Sequence, residues 1–183
     1  MKHLGTKKLE TPRLVLRPFR PGDGEAMFRN WACDPQVTQY LTWQPHESAE
    51  VSERLCALWA REAEKPQVYQ WAIELRELGQ VIGSLSVVRT DEATESAELG
   101  YCIGKAWWGQ GLMTEAVRAV LPFLLSDCGF RRVCASHDEE NPASGRVMQK
   151  AGMRLDGTLR ASGRNNRGIV DMVWYSILQS ELK

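Results

Sequence analysis

The chain is short of several things, and each shortage excludes something. Net charge is absent: 23 Lys plus Arg balance 23 Asp plus Glu. Wholesale binding to nucleic acid or to an anionic membrane surface would need a basic excess, so neither partner is expected. No apolar run approaches the ~18 residues a membrane-spanning helix requires. Charged residues recur through Met1 to Phe19, which lacks the apolar core of a secretory signal. Histidine is scarce. His3, His46 and His137 are the whole supply, no two at ligand spacing. The run His137-Asp138-Glu139-Glu140 reads as a solvated strand end rather than a metal cluster, so no metal is expected. Cys33, Cys56, Cys102, Cys128 and Cys134 form an odd, scattered set without a C-x-x-C pair, neither a disulfide framework nor a zinc site. They read as small buried apolar residues in a reducing, cytoplasmic setting.

What is present is ordinary for a globular protein: 43% hydrophobic and 25% charged residues in 183. That length suits one domain, 1–183, able to bury roughly 70% of the surface its unfolded chain exposes. Periodicity predicts a strand at Arg13–Pro18, a helix opened by Pro21-Gly22-Asp23 and closed by Asp34-Pro35, and a loop over 36–46. An amphipathic helix follows at Ser48–Glu64. Strands are expected at Tyr69–Leu75 and Gln80–Val88 around Glu77-Leu78-Gly79, then at Ser96–Ile103. A helix should run from Gly111 to Cys128, stopped by Gly129. Pro122 inside it should kink it or shift its start. A strand at Arg131–His137, a helix at Asn141–Gly152, and strands at Met153–Arg160 and Ile169–Leu178 around a basic loop complete an α/β (α+β) domain. Its sheet would have about seven mostly antiparallel strands, flanked by about four helices.

Two segments carry chemistry. In the first, the strand Glu98 to Ile103 runs through Trp107-Trp108-Gly109-Gln110-Gly111 into a helix beginning Leu112-Met113-Thr114. A helix start leaves about four N–H groups unpaired and partly positive. Gly109 and Gly111 would let a phosphate approach that backbone. On the glycines alone, an anion site and an empty tight turn are equally compatible. There is no Walker loop, and Thr114 stands where a dinucleotide fingerprint needs glycine. No G-x-S-x-G elbow exists. The second segment, Asn141-Pro-Ala-Ser144-Gly-Arg-Val-Met-Gln-Lys-Ala-Gly152-Met153, has Asn141 as a helix cap, Pro142 in first position and Gly152-Met153 as a Schellman end. Those roles leave Ser144 in the first turn unexplained.

Together the segments resemble the GNAT superfamily, the Gcn5-related N-acetyltransferases. W-G-Q-G-L-M-T-E-A is similar to its acetyl-CoA pyrophosphate loop, with Trp108 and Met113 where the general pattern has Gln/Arg and Gly/Ala. N-P-A-S-G-R-V-M-Q-K-A-G-M resembles the RimJ/RimL-like ribosomal-protein N-acetyltransferase branch. So do L-E-T-P-R-L-V-L-R-P-F at 9–19, Tyr40-Leu-Thr-Trp43, and D-M-V-W-Y-S-I-L at 171–178. The resemblance implies central strands splayed to admit acetyl-CoA as cosubstrate. It also implies acetyl transfer to a primary amine, most simply a protein or peptide N-terminal α-amine. By the same resemblance the main chain of Cys102 and Ile103 would bind pantetheine, Gln110 to Thr114 (Gln110, Gly111, Leu112, Met113, Thr114) would hold the pyrophosphate, and Trp108 and Gly109 would also contact the cofactor. Asn141 would position cofactor or water, and Ser144 would face the sulfur as acid.

The chemistry itself needs a base or water chain for the ammonium proton, donors for the developing oxyanion, and an acid for the departing thiolate. Glu98 is the candidate base or water-orienter, against the plainer reading of a salt-bridged strand glutamate; Glu74 is the reserve. Tyr40 and Trp43 are candidate acceptor contacts, against the plainer reading of loop anchors. Arg160, Arg164 and Arg167 suit either an acidic partner or a solvated hairpin tip. A small-molecule amine acceptor, or a non-catalytic acyl-CoA-binding module, are the alternative functions, and a homodimer is left open.

Overall fold

The computed structural model describes residues 1–182. In chain order the elements are β1 (Leu9–Glu10), β2 (Leu14–Pro18), α1 (Gly24–Met27), α2 (Pro35–Thr38), α3 (Ala49–Glu62), β3 (Gln70–Leu75), β4 (Gln80–Asp91) and β5 (Ser96–Ile103). Then come α4 (Leu112–Pro122), β6 (Arg132–Asp138), α5 (Pro142–Lys150), β7 (Arg154–Asn165) and β8 (Gly168–Leu178). The eight strands form one sheet in the order β1-β2-β3-β4-β5-β6-β8-β7. Every neighbouring pair is antiparallel except β5 and β6, which α4 connects as a parallel crossover.

Strand alternation gives the sheet two faces, and each is covered. On one, Leu14, Leu16, Trp71, Ile73, Ile82, Leu85 and Leu99 pack against Leu112, Ala116, Val117, Val120 and Leu121 of α4 and Met148 of α5. On the other, Phe19, Ala72 and Val81 pack against Met27, Trp31 and Cys56 of the α1–α3 layer. Arg17, 5% exposed, pins that layer. It donates from Nη1 and Nη2 to Asp23 at 2.8 Å and from Nε to Glu74 at 2.7 Å. Glu74 is therefore held by a buried cation at the entry to α1, on β3 and two strands away from β5.

Four local expectations change. The stretch 36–46 is not all loop: the Asp34 carboxylate caps α2 by accepting from Gln36 N–H at 2.8 Å. The basic segment 161–168 is mostly strand, because β7 runs to Asn165 and turns tightly through Asn166-Arg167. His137 and Asp138 are not solvated; they are 8% and 4% exposed. No group of metal-ligating side chains forms among the described residues. Pro122 does not start its helix but is the last residue of α4. Lacking an N–H, it ends the α-helical ladder, and Phe123–Asp127 continue as a π turn closed by Cys128 N–H to the Phe123 carbonyl at 2.9 Å. α5 ends as expected, with Gly152 at φ +98°, Gly152 N–H to Gln149 O and Met153 N–H to Met148 O, both 3.0 Å. No helix among the described residues is long and apolar enough to cross a membrane.

Candidate active site

The site is built where the parallel pair comes apart. β5 and β6 are paired only at Ser96↔Arg132, Ala97↔Val133, Glu98↔Cys134 and Leu99↔Ala135. Beyond Leu99, β5 continues to Ile103 and β6 to Asp138 without facing each other. The result is a V whose inner edges carry main-chain donors and acceptors with no strand partner.

Register decides which main-chain groups face the gap. Gly104 N–H donates to Ile82 O at 2.9 Å. Antiparallel pairs alternate, so Cys102, opposite Ser84, is spent on β4, and Tyr101 and Ile103 point into the V. Of the two expected main-chain positions, Ile103 faces the gap, and Tyr101 does so in place of Cys102. The Ile103 carbonyl is already taken by the Trp108 indole N–H at 2.9 Å. Tyr101 therefore offers its N–H and C=O to the gap, and Ile103 its N–H. The Cys102 side chain rests near Ser84 Oγ at 3.4 Å, and burial pushes its thiol pKa up, so it is a packing residue.

At the mouth, Gly109 and Gly111 have φ +74° and +76°, a region costly for residues with a Cβ. A Cβ at Gly109 would meet nothing within 4 Å, so space lies open above the turn. Leu112, Met113 and Thr114 are buried, and what they offer is the main-chain N–H groups of the first turn of α4. Gln110 turns its side chain back, donating to Ala106 O at 2.9 Å. Sequence reasoning missed Arg13, which reaches this turn from about a hundred residues away and donates from Nη1 to Gln110 O at 3.0 Å.

Ser144 lies on the α4/α5 face. Its Oγ is 3.0 Å from the Tyr101 hydroxyl, which is also 3.1 Å from the Ser144 carbonyl. Burial raises the Tyr101 phenol pKa, so it stays protonated as a donor. Asn141 does not cap α5 with its side chain, contrary to expectation, and that amide makes no bond to the helix start.

Glu98 lies on the opposite face, one residue before pairing stops. It meets Arg89 at 3.0 Å in a cavity of about 450 Å³ that also holds Arg132, Cys134 and Trp174. The Trp174 indole N–H there has no partner among the described residues. Ser144 and Glu98 thus flank the vertex of the V from its two sides. Tyr40 and Trp43 lie off the vertex, under the β7–β8 tip, with Tyr40 against the β6–α5 connection that leads to Asn141. Tyr40 donates to Glu140 O at 3.1 Å beneath the Arg167 guanidinium, and Asn166 Nδ2 donates to Thr38 O at 2.9 Å and Trp43 O at 2.7 Å. Arg167 itself pairs with Asp138 and Glu140, so it is a structural tip residue here.

The sheet splits at its single parallel pair, with a glycine-flanked helix start at the mouth, the arrangement that the resemblance to the GNAT acetyltransferases implies. Residues 13–154 match the acetyltransferase (GNAT) domain family, and the chain belongs to that family. It is an N-acetyltransferase by that membership. YoaA of Bacillus subtilis, an uncharacterized N-acetyltransferase, is 30% identical over 93% of this chain and 96% of its own. The ribosomal-protein-serine acetyltransferase of Escherichia coli is 27% identical over 53% of this chain and 54% of its own, consistent with a RimJ/RimL-like branch. Among solved structures, the microcin C7 self-immunity acetyltransferase MccE, in complex with acetyl-CoA and AMP, superposes with a TM-score of 0.80 at 17% identity, covering 92% of this chain and 93% of that one. This last likeness concerns the fold. Among the described residues the sheet has eight strands and is flanked by five α-helices, one of each more than expected.

Proposed function

We propose that the protein transfers the acetyl group of acetyl-CoA to a primary amine, and that the amine is the N-terminal α-amine of a protein or peptide. The V between β5 and β6, opening beside the Gly111 helix start, carries this reading. Its unpaired edge suits the amide groups of a pantetheine arm, and the turn suits a diphosphate. A thioester supplies an activated acyl carbon and a good leaving group. The E. coli relative, by its name, acts on a ribosomal protein, which supports a protein acceptor.

In the proposed mechanism Glu98 receives the ammonium proton through water, leaving the amine lone pair free to attack. The Tyr101 N–H, which faces the gap, is proposed to meet the negative charge developing on the carbonyl oxygen. As the C–S bond breaks, Ser144 Oγ–H protonates the leaving sulfur and takes up in turn the second proton lost by the acylated nitrogen, so the serine ends as it began, and Tyr101 keeps that hydroxyl aimed. Asn141 is proposed to position cofactor or water, and Tyr40 and Trp43 to wall the acceptor entrance. Incubation with labelled acetyl-CoA, a ribosomal-protein extract and a panel of small amines tests the reading. Label on protein N-termini supports it. Label only on small amines removes the protein acceptor, and CoA binding without any transfer favours a non-catalytic module.

A further inference from the structure

From Trp108 to Thr114 the turn at the cofactor mouth contains no cationic side chain. Main-chain N–H groups alone would have to face two phosphates. Arg13 changes this. Its main-chain N–H and its Nε donate to the two oxygens of Glu115, at 3.0 and 2.7 Å, and Thr11 Oγ1 donates to the same carboxylate at 2.6 Å. Nη1 donates to Gln110 O. The guanidinium is therefore fixed on two sides, by α4 and by the turn. Nη2 has no partner among the described residues, and it is 3.7 Å from where a Cβ of Gly111 would stand.

Resting on the acetyl-CoA reading, we propose that Arg13 is a direct diphosphate-binding residue, its Nη2 aimed by Glu115 at the phosphate seated over Gly111. The alternatives nearby are weaker. Arg118 donates from both Nε and Nη2 to the Lys150 carbonyl. Arg13, Arg118 and Lys150 line one open cavity of about 690 Å³ with Gly111 and Thr114. Its two carboxylates are both paired, Glu115 with Arg13 and Glu10 with Lys8 and Arg76. The cavity is thus net cationic, and Arg13 is the guanidinium that touches the turn. A planar fork held on two edges loses little side-chain freedom when its third edge meets a phosphate.

Calorimetry with CoA, with dephospho-CoA, which keeps the diphosphate but lacks the 3′-phosphate, and with pantetheine, which lacks all three phosphates and the adenosine, tests this, and the losses expected for CoA hold equally for dephospho-CoA. Arg13→Gln should weaken CoA roughly 10- to 100-fold and change pantetheine affinity less than about twofold. Arg13→Lys keeps the charge but not the fork, and should weaken CoA roughly 3- to 10-fold with the same indifference to pantetheine; it serves if Arg13→Gln fails to fold by circular dichroism. Equal loss for CoA and pantetheine would make Arg13 a scaffold residue only, and undiminished CoA or dephospho-CoA affinity would overturn the assignment. Wild-type protein that binds no CoA would instead overturn the proposed function itself.

Discussion

The Tyr101 hydroxyl bridges the unpaired half of β5 to Ser144 in the first turn of α5, at 3.0 Å from Oγ and 3.1 Å from the carbonyl. With a single proton on the phenol, one of these contacts is a donation by Tyr101, and the serine proton is left for Tyr101 or for a ligand. If Ser144 is the acid, Ser144→Ala should lower kcat by about 100-fold and leave CoA affinity within about twofold. Tyr101→Phe should lower kcat by about tenfold through loss of aim. Steady-state kinetics beside calorimetry checks both; equal loss in kcat and affinity would make Ser144 a binding residue.

Gly111 combines a positive φ with a neighbour, Arg13 Nη2, along its Cβ direction. Gly111→Ala should cost about 1 kcal/mol in stability, a fall of roughly 2–4 °C in Tm, from backbone strain. Gly111→Trp would fill the open space over the turn and should weaken CoA by more than about 30-fold with a fold still intact by circular dichroism. Unchanged affinity in that variant would move the diphosphate away from this turn.

Glu115 gives a pH signature. Burial works to raise its pKa, but hydrogen bonds from Thr11 and Arg13 outweigh it and hold the carboxyl below its ordinary value of 4.5. A depressed folded pKa favours the charged form in the fold. Its stabilisation is complete above the unfolded pKa and is lost as pH falls through the folded one. Thermal melts from pH 6 to pH 3 should therefore show a smaller acid-induced fall in Tm for Glu115→Gln than for wild type. An identical fall in both would mean the carboxylate contributes nothing to the fold.

Asn166 locks the β7–β8 tip onto the 38–44 segment. Besides its two donations to Thr38 O and Trp43 O, its N–H reaches Leu41 O at 3.1 Å and its Oδ1 accepts from Gln44 at 2.6 Å. Asn166→Ala should loosen the wall carrying Tyr40 and Trp43. The expected result is a several-fold higher KM for the amine acceptor with unchanged CoA affinity, read by kinetics at saturating acetyl-CoA.

The sequence made the cofactor side legible because its signals are local. The glycines at 109 and 111, the helix start after them, and the Asn141–Met153 helix with its glycine end each sit within a dozen residues. The faces of β5 were also readable, since Leu99 and Tyr101 alternate with Glu98 and Cys102. What escaped depends on pairing between distant segments. Arg13 reaches Gln110 only after β2 and α4 have been laid together. The switch from Cys102 to Tyr101 as the gap-facing main chain follows from one hydrogen bond, Gly104 to Ile82, that no residue pattern encodes. β7 looked shorter because it is an outer strand with both faces largely in water, so hydrophobic alternation, the signal that marks a strand, is missing from it. Ala161, at φ +49°, and the register shift between Leu159 and Gly163 break its regularity further.

The split between β5 and β6 has a consequence beyond chemistry. An unprotected strand edge is a template for pairing with any foreign chain, and proteins usually blunt such edges with bulges, charge or cover. β7, at the outer rim, carries two irregularities and several arginines. The inner edge from Gly100 to Ile103 cannot be blunted that way without destroying its use. An extended ligand paired along that edge would therefore cover it as well as bind.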